Sequence, residues 1–209
     1  MPVELRDVAP GLWLWRQPHP EWRPGLDWQP DVSSVCVESR GEVLVLDALA
    51  PAEDERKVWE RLDARPPTAA VVLKPDHVRS VDLFVSRYGA RGYGPRLFFR
   101  DDMPETDLEP VEPGDELPGG LLALYDGRAR AETPLFLPEQ RALVFADALM
   151  ADPEGVLRVW ATAFHEEWVL PPLRNLLDLP FEHVLVAHGE PLHDRAAFQA
   201  ALEREPCGG

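Results

Sequence analysis

The sequence predicts an α+β sandwich, two β-sheets with helices outside them, on three observations. Short apolar runs of strand length recur along the chain, separated by Gly, Pro and charged residues. Pairs of such runs are followed by segments of helical character. That order, strands and then a helix, occurs twice, once in each half. The 209 residues fit one domain, 1–209, large enough to bury a substantial core.

In the first half, strands are expected at 10–16, 32–38 and 42–47, the last two joined by a turn at Arg40-Gly41. Segment 51–63, PAEDERKVWERLD, reads as a helix: Pro51 opens it, acids fill its first turn, and Val58 and Leu62 lie one turn apart. A β-like run at 68–73 follows, then a helix at 78–88 that Gly89 ends. In the second half, strands are expected at 96–99, 120–125, 133–137 and 142–146. A helix at 171–179, a strand at 183–187 and a helix at 193–204 complete the series.

Two segments stand apart. Residues 16–31 are rich in Pro and Trp, and residues 100–119 are acidic and rich in Pro; both read as surface loops placed to flank a cleft. The tryptophans Trp13, Trp15, Trp22 and Trp28 either pack on the sandwich or, from the 16–31 loop, overhang a pocket.

A formal net charge of −16 argues against nucleic-acid partners, which need clustered Lys and Arg to displace counterions. No apolar run approaches the ~20 residues that span a bilayer, and the charged start MPVELRDVAP lacks the apolar stretch of a secretory signal. Cys36 in an apolar run and Cys207 in a Gly-rich tail make no disulfide framework. The expectation is a cytoplasmic protein that takes a small-molecule ligand and has no membrane partner; exposed tryptophans would favour a homodimer.

Of the six histidines, His77 and His188 follow buried strands at turns, where sandwich folds place binding groups. Asp76 adjoins His77, and Asp147 likewise follows the strand ALVFA. Asp76, His77, Asp147 and His188 together make a mixed N/O set suited to Zn²⁺, Mn²⁺ or Fe²⁺, or else a hydrogen-bonded structural set. His165 and His193 are secondary candidates, and His19 and His183 carry no signal. Ser residues lack a G-x-S-x-G setting. Neither Cys has a neighbouring His, and Gly92-Tyr93-Gly94 lacks the context of a nucleotide loop.

In order along the chain, VSSVCVESRGEVLVLDALA, VVLKPDHVRSVDLF, GRARAETPLFLPEQRALVFADAL and LRNLLDLPFEHVLVAHGEP resemble successive segments of the metallo-β-lactamase superfamily. They are similar to its paired N-terminal strands ending in a buried Asp (here Asp47), its His-x-His-x-Asp-His loop, its Gly-His loop with the Gly-Asp-Ala-Leu segment, and its C-terminal Gly-His-Gly-x-Pro turn. The resemblance implies a four-layer αββα sandwich of two mixed sheets flanked by helices, and a metal-dependent hydrolase site.

Matched residue by residue, it also implies that the site is incomplete. Asp76 and His77 stand at the last two positions of the His-rich motif, Asp147 at the bridging carboxylate and His188 at the final His. Val72, Lys74 and Arg128 stand where three further His would hold the first metal. Two readings follow. In one, a single divalent ion, Zn²⁺ before Mn²⁺ or Fe²⁺, is held by Asp76, His77, Asp147 and His188. It hydrolyses a small ester, thioester, lactone or phosphoester, with Asp76 in the catalytic set and Lys74 and Arg128 stabilising the oxyanion. In the other there is no metal: Lys74 and Arg128 pair with Asp147 and Asp76, and the domain binds or scaffolds without catalysis.

Overall fold

Strict alternation of inward and outward apolar residues along the strands builds two facing sheets and leaves each an outer face for helices. The computed structural model describes residues 3–26, 28–125, 132–152 and 154–207. Strands β1 (Glu4–Ala9), β2 (Leu12–Pro18), β3 (Asp31–Ser39) and β4 (Glu42–Leu46) form an antiparallel meander. Helix α1 (Arg56–Ala64), β5 (Ala69–Val71), α2 (Val81–Tyr88), β6 (Arg91–Gly94) and β7 (Glu109–Pro110) extend it in parallel to seven strands in sequence order.

The second half contributes β8 (Glu116–Leu117), β9 (Leu121–Ala123), β10 (Leu135–Leu137), β11 (Ala142–Phe145), a separate hairpin of β12 (Leu149–Ala151) and β13 (Leu157–Val159), α3 (Leu170–Asn175), β14 (His183–Val186) and α4 (Arg195–Glu203). Its five-stranded sheet runs β14-β11-β10-β9-β8, with β11 and β14 parallel and the other pairs antiparallel.

The period of two shows in which side chains meet. Leu12, Leu14, Val35, Val37, Leu44, Leu46, Ala69 and Val71 face Leu135, Leu137, Ala142, Val144 and Leu185 between the sheets. Their neighbours Trp13, Trp15, Cys36, Val43, Val45, Ala70 and Val72 point the other way, onto Val58 and Leu62 of α1 and Phe84 of α2. On the far side Phe136, Leu143, Phe145 and Val186 pack against Leu173 of α3 and Phe198 and Leu202 of α4. The result is the expected four-layer αββα sandwich of two mixed sheets.

Several elements depart from the expectation. Residues 96–99 form no strand; the strand lies just before them, at β6. Pro95 interrupts the ladder, and Leu97 and Phe99 are exposed. Gly92 and Gly94 let Leu108 lie against the backbone there, since a Cβ at Gly92 would come within 2.4 Å of the Leu108 side chain. Helix α1 starts at Arg56 rather than Pro51, and the 171–179 helix is a π-turn at His165–Val169 running into α3 and a 3₁₀ turn at Leu176–Asp178. The 100–119 loop contains the edge strands β7 and β8, and β1 and the β12–β13 hairpin had no clear sequence signal.

Strands β4 and β5 run parallel, as do β11 and β14, so the segments leaving their carboxyl ends can converge. Ser33 N–H donates to Ala187 O at 2.8 Å, tying β3 of one sheet to the end of β14 in the other.

Phe198, 0% exposed, stacks on Phe145 and meets Phe181 edge-on. Phe198→Ala is expected to cost about 3–5 kcal/mol of stability, measured by urea unfolding.

Candidate functional site

The cleft begins with a strained residue. Asp47, where the chain leaves β4, has φ 44°, a left-handed conformation uncommon for a non-glycine residue. Its own carbonyl and carboxylate explain the turn. Leu73 N–H donates to Asp47 Oδ1 at 2.7 Å, and Asp47 Oδ2 lies 2.8 Å from His77 Nδ1. Arg79, also left-handed at φ 45°, donates from Nη1 to the Asp47 carbonyl and, at 3.0 Å, to Ser33 O. One acidic residue thus fixes the end of β4, the end of β5 and the loop that leads to α2.

With Nδ1 held by Asp47, His77 turns Nε2 toward Asp147, 3.4 Å from Oδ2. His188 approaches the same carboxylate from β14, its Nε2 3.6 Å from Asp147 Oδ1. Lys74, with only 5% of its side chain exposed, places Nζ 2.7 Å from Asp147 Oδ2 and also pairs with Asp76. Burial pulls the Lys74 ammonium down, but Asp147 and Asp76 outweigh it and hold it above its ordinary value. Burial likewise opposes a charged His77, yet Asp147 and Asp47 together lift it to about 9, against Arg79. Burial would raise Asp147, but His77 and Lys74 hold it well below the usual carboxylate range. His188 goes the other way: burial, helped by Arg79 and His77, lowers it to about 3, so it is neutral.

Around this floor, His19, Trp28, Met150 and Trp160 complete a cleft of about 310 Å³. Trp28 meets His188 edge-on at 4.9 Å and His19 at 5.5 Å. Gln29 Nε2–H donates to Asp152 O at 2.9 Å, tying the Trp28 segment to the far wall. The tryptophans therefore divide: Trp13 and Trp15 pack under the helices, whereas Trp28 faces the cleft.

Of the residues singled out in the sequence, His77, Asp147 and His188 come together, each offering a ligand atom within 4.8 Å of the others. Asp76 lines the same cleft but is turned to Lys74. Val72 is buried against the helices and offers no donor. Arg128 lies outside the described residues. His165 is not among the residues that line the cleft, and His193 pairs with His183 instead. Two charged groups gave no clear signal in the sequence. Arg79 reaches carbonyls 46 and 32 residues away in sequence. Glu132, 0% exposed, accepts the backbone N–H groups of Ala146, Asp147 and Ala148 at 2.7–2.8 Å and so shapes the Asp147 turn. Only the position of Glu132 in a segment otherwise bound for a buried strand hinted at it.

No protein-family model matches this chain, and no curated protein matches it. Solved structures do. A metallo-beta-lactamase from Pontibacter korlensis superposes with a TM-score of 0.70 at 14% identity, covering 97% of this chain and 100% of the other. The chain has the metallo-β-lactamase fold. A metallo-beta-lactamase family protein from Thermus thermophilus shares the metallo-β-lactamase fold with a TM-score of 0.64 at 20% identity, covering 94% of this chain and 78% of that one. The FIM-1 metallo-beta-lactamase of Pseudomonas aeruginosa, in its mono-zinc form, gives a TM-score of 0.69 at 13% identity, covering 97% and 94%. At such identities the likeness carries architecture, and the chemistry rests on the side chains above.

Burial and the nearby Asp147 raise the Glu132 carboxyl from 4.5 to about 7, against its three backbone donors. Between those values the folded chain holds a proton that the unfolded chain has lost, so Glu132 contributes stability that fades as pH rises through this window. Unfolding free energies across the window should fall more steeply with pH for the wild type than for Glu132→Gln, which cannot titrate.

Proposed function

We propose that this protein is a metallo-β-lactamase-fold domain whose cleft binds a small molecule without metal-dependent hydrolysis, Lys74 serving as the cation that balances the site. The observation that carries this reading is the Lys74 ammonium between two carboxylates, 2.7 Å from Asp147 Oδ2 and paired with Asp76. By resemblance, position 74 is where a His would ligate the first metal, and Val72, at another such position, is buried against the helices. Arg79 adds a second fixed cation lining the cleft. A divalent ion placed about 4 Å from an ammonium is repelled by several kcal/mol even at an effective dielectric of ~20. Removing one partner from a buried ion pair, by contrast, exposes a costly unpaired charge. The ligand would set an apolar group against Trp28, Met150 and Trp160, with polar atoms toward Asp147 and His188. Arg128 would be a second replacement cation for Asp147 and Asp76, and the acidic surface and the absence of a membrane-spanning helix among the described residues suit a cytoplasmic protein.

A mononuclear hydrolase is the second reading, and a specific observation favours it. Asp147 Oδ1 and His188 Nδ1 are buried without a hydrogen-bond partner among the described residues. His77 Nε2 lies 3.4 Å from Asp147 Oδ2 and His188 Nε2 lies 3.6 Å from Asp147 Oδ1, so the three residues offer ligand atoms within 4.8 Å of one another. His77, Asp147 and His188 would hold the ion, with Asp76 as a fourth ligand only if it left Lys74. When bound, such an ion supplies Lewis acidity and a more acidic water. Lys74 would then steady the developing oxyanion of an ester, thioester, lactone or phosphoester.

Lys74→Ala decides between them. In the metal-free reading it costs up to about 3–5 kcal/mol of stability by leaving Asp147 with His77 as its remaining charged partner, and zinc restores stability to the variant while the wild type responds to zinc no differently from His188→Gln. Stoichiometric metal in wild-type protein purified without chelator, lost in His188→Gln, would instead establish the hydrolase site.

A further inference from the structure

Away from the cleft, the chain carries a second pair of imidazoles that its backbone sets opposite each other. Val184 and Leu192 form an antiparallel bridge, Val184 N–H donating to Leu192 O at 3.0 Å and Leu192 N–H donating to Val184 O at 2.8 Å. Exchanging both bonds makes that pair the hydrogen-bonded kind. The next pair outward in register, His183 opposite His193, is therefore of the non-hydrogen-bonded kind, whose side chains stand closest across the strands. The two rings follow this placement: their Nδ1 atoms lie 2.9 Å apart, with centroids 5.0 Å apart and planes crossing at 78°. Among the described residues, the only hydrogen-bond partner of either ring is the other. His193 is exposed and His183 half-buried, so the pair is open to solutes.

Two imidazole nitrogens each about 2.0–2.1 Å from one ion and 90° apart are separated by about 2.9 Å. The observed spacing, that of an Nδ1–H···Nδ1 hydrogen bond between the two rings, also equals the separation of two adjacent ligands of a square or octahedral ion, so an ion can replace the shared proton with little movement of either ring. Paired neutral imidazoles favour borderline transition metals, most strongly those late in the first row. Burial and the neighbouring His193 imidazole lower His183 from its ordinary value. A surface of net charge −16 concentrates cations around it.

We infer that His183 and His193 form a surface chelate for one divalent transition-metal ion of the Ni²⁺ or Cu²⁺ class, completed by water. The site is independent of the cleft reading. It has a structural consequence of its own, because the two ligands close the ends of the 184–192 turn whose apex is His188. That apex is already anchored by the Ala151 N–H, which donates to His188 O at 2.7 Å, and by Glu190, which pairs with Arg6 and Arg16. A metal across the base would therefore stiffen a segment held at its tip.

Titrating the full chain with Ni²⁺ alone tests this by calorimetry and thermal unfolding. One ion should bind, with affinity reduced about tenfold or more in both His193→Gln and His183→Gln and unchanged in His188→Gln. The Ni²⁺-dependent rise in melting temperature should vanish in the first two variants and persist in the third. His193 is exposed, so that variant keeps the fold. Equal Ni²⁺ affinity in wild type and His193→Gln overturns the inference. Binding lost in His188→Gln but kept in His193→Gln overturns it too, and in addition places the ion in the cleft, against the metal-free reading there.

Discussion

The Asp47 carboxylate is the interaction on which the cleft depends. It receives the Leu73 N–H on one oxygen and faces His77 Nδ1 with the other, while its carbonyl takes a guanidinium hydrogen of Arg79. Those bonds offset the cost of holding a non-glycine residue at φ 44°. They also choose which nitrogen of His77 faces the cleft, since an imidazole anchored at Nδ1 presents Nε2. Without that anchor His77 would turn freely, and neither an ion pair with Asp147 nor a metal ligand set could be held in place.

Asp147 is the second pivot. It pairs with Lys74 and faces the imidazoles of His77 and His188 at 3.4 and 3.6 Å, and its backbone N–H is held with its neighbours' by Glu132. Glu132 therefore does for the Asp147 turn what Asp47 does for the His77 loop: a buried carboxylate collects backbone donors that no strand can satisfy. Both turns sit at the carboxyl ends of parallel strand pairs, where the ladder stops and its donors are left over. The acidic groups of the cleft are thus partly structural, and Lys74 and Arg79 meet a charge that the fold itself creates.

Much of this architecture is legible in the sequence, for a physical reason. In β2, β3, β4 and β11 nearly every residue is buried, and the side that each faces follows directly from its place in the alternation. Where burial is only partial the signal fails, as in β1, and it fails too where the buried residues lack apolar side chains, as in β6, whose Gly92 and Gly94 admit Leu108. The site was readable where it rests on residues at strand ends, His77, Asp147 and His188. It was not readable in Arg79 or Glu132, whose partners are brought to them only by folding. The pairing of His183 with His193 was equally hidden, since it depends on a single backbone bridge between Val184 and Leu192.

The edge-on contact of Trp28 with His188, 4.9 Å between ring centres, has an optical meaning. Indole emission responds to a neighbouring imidazole and to the polarity around the ring, and Trp28 is held against one wall of the cleft by Gln29. Of the seven tryptophans, Trp13 and Trp15 are sealed under the helices and see no change when the cleft is entered. An occupant that parts Trp28 from His188 would therefore alter the protein's own fluorescence, so the cleft carries a built-in dye for whatever it binds.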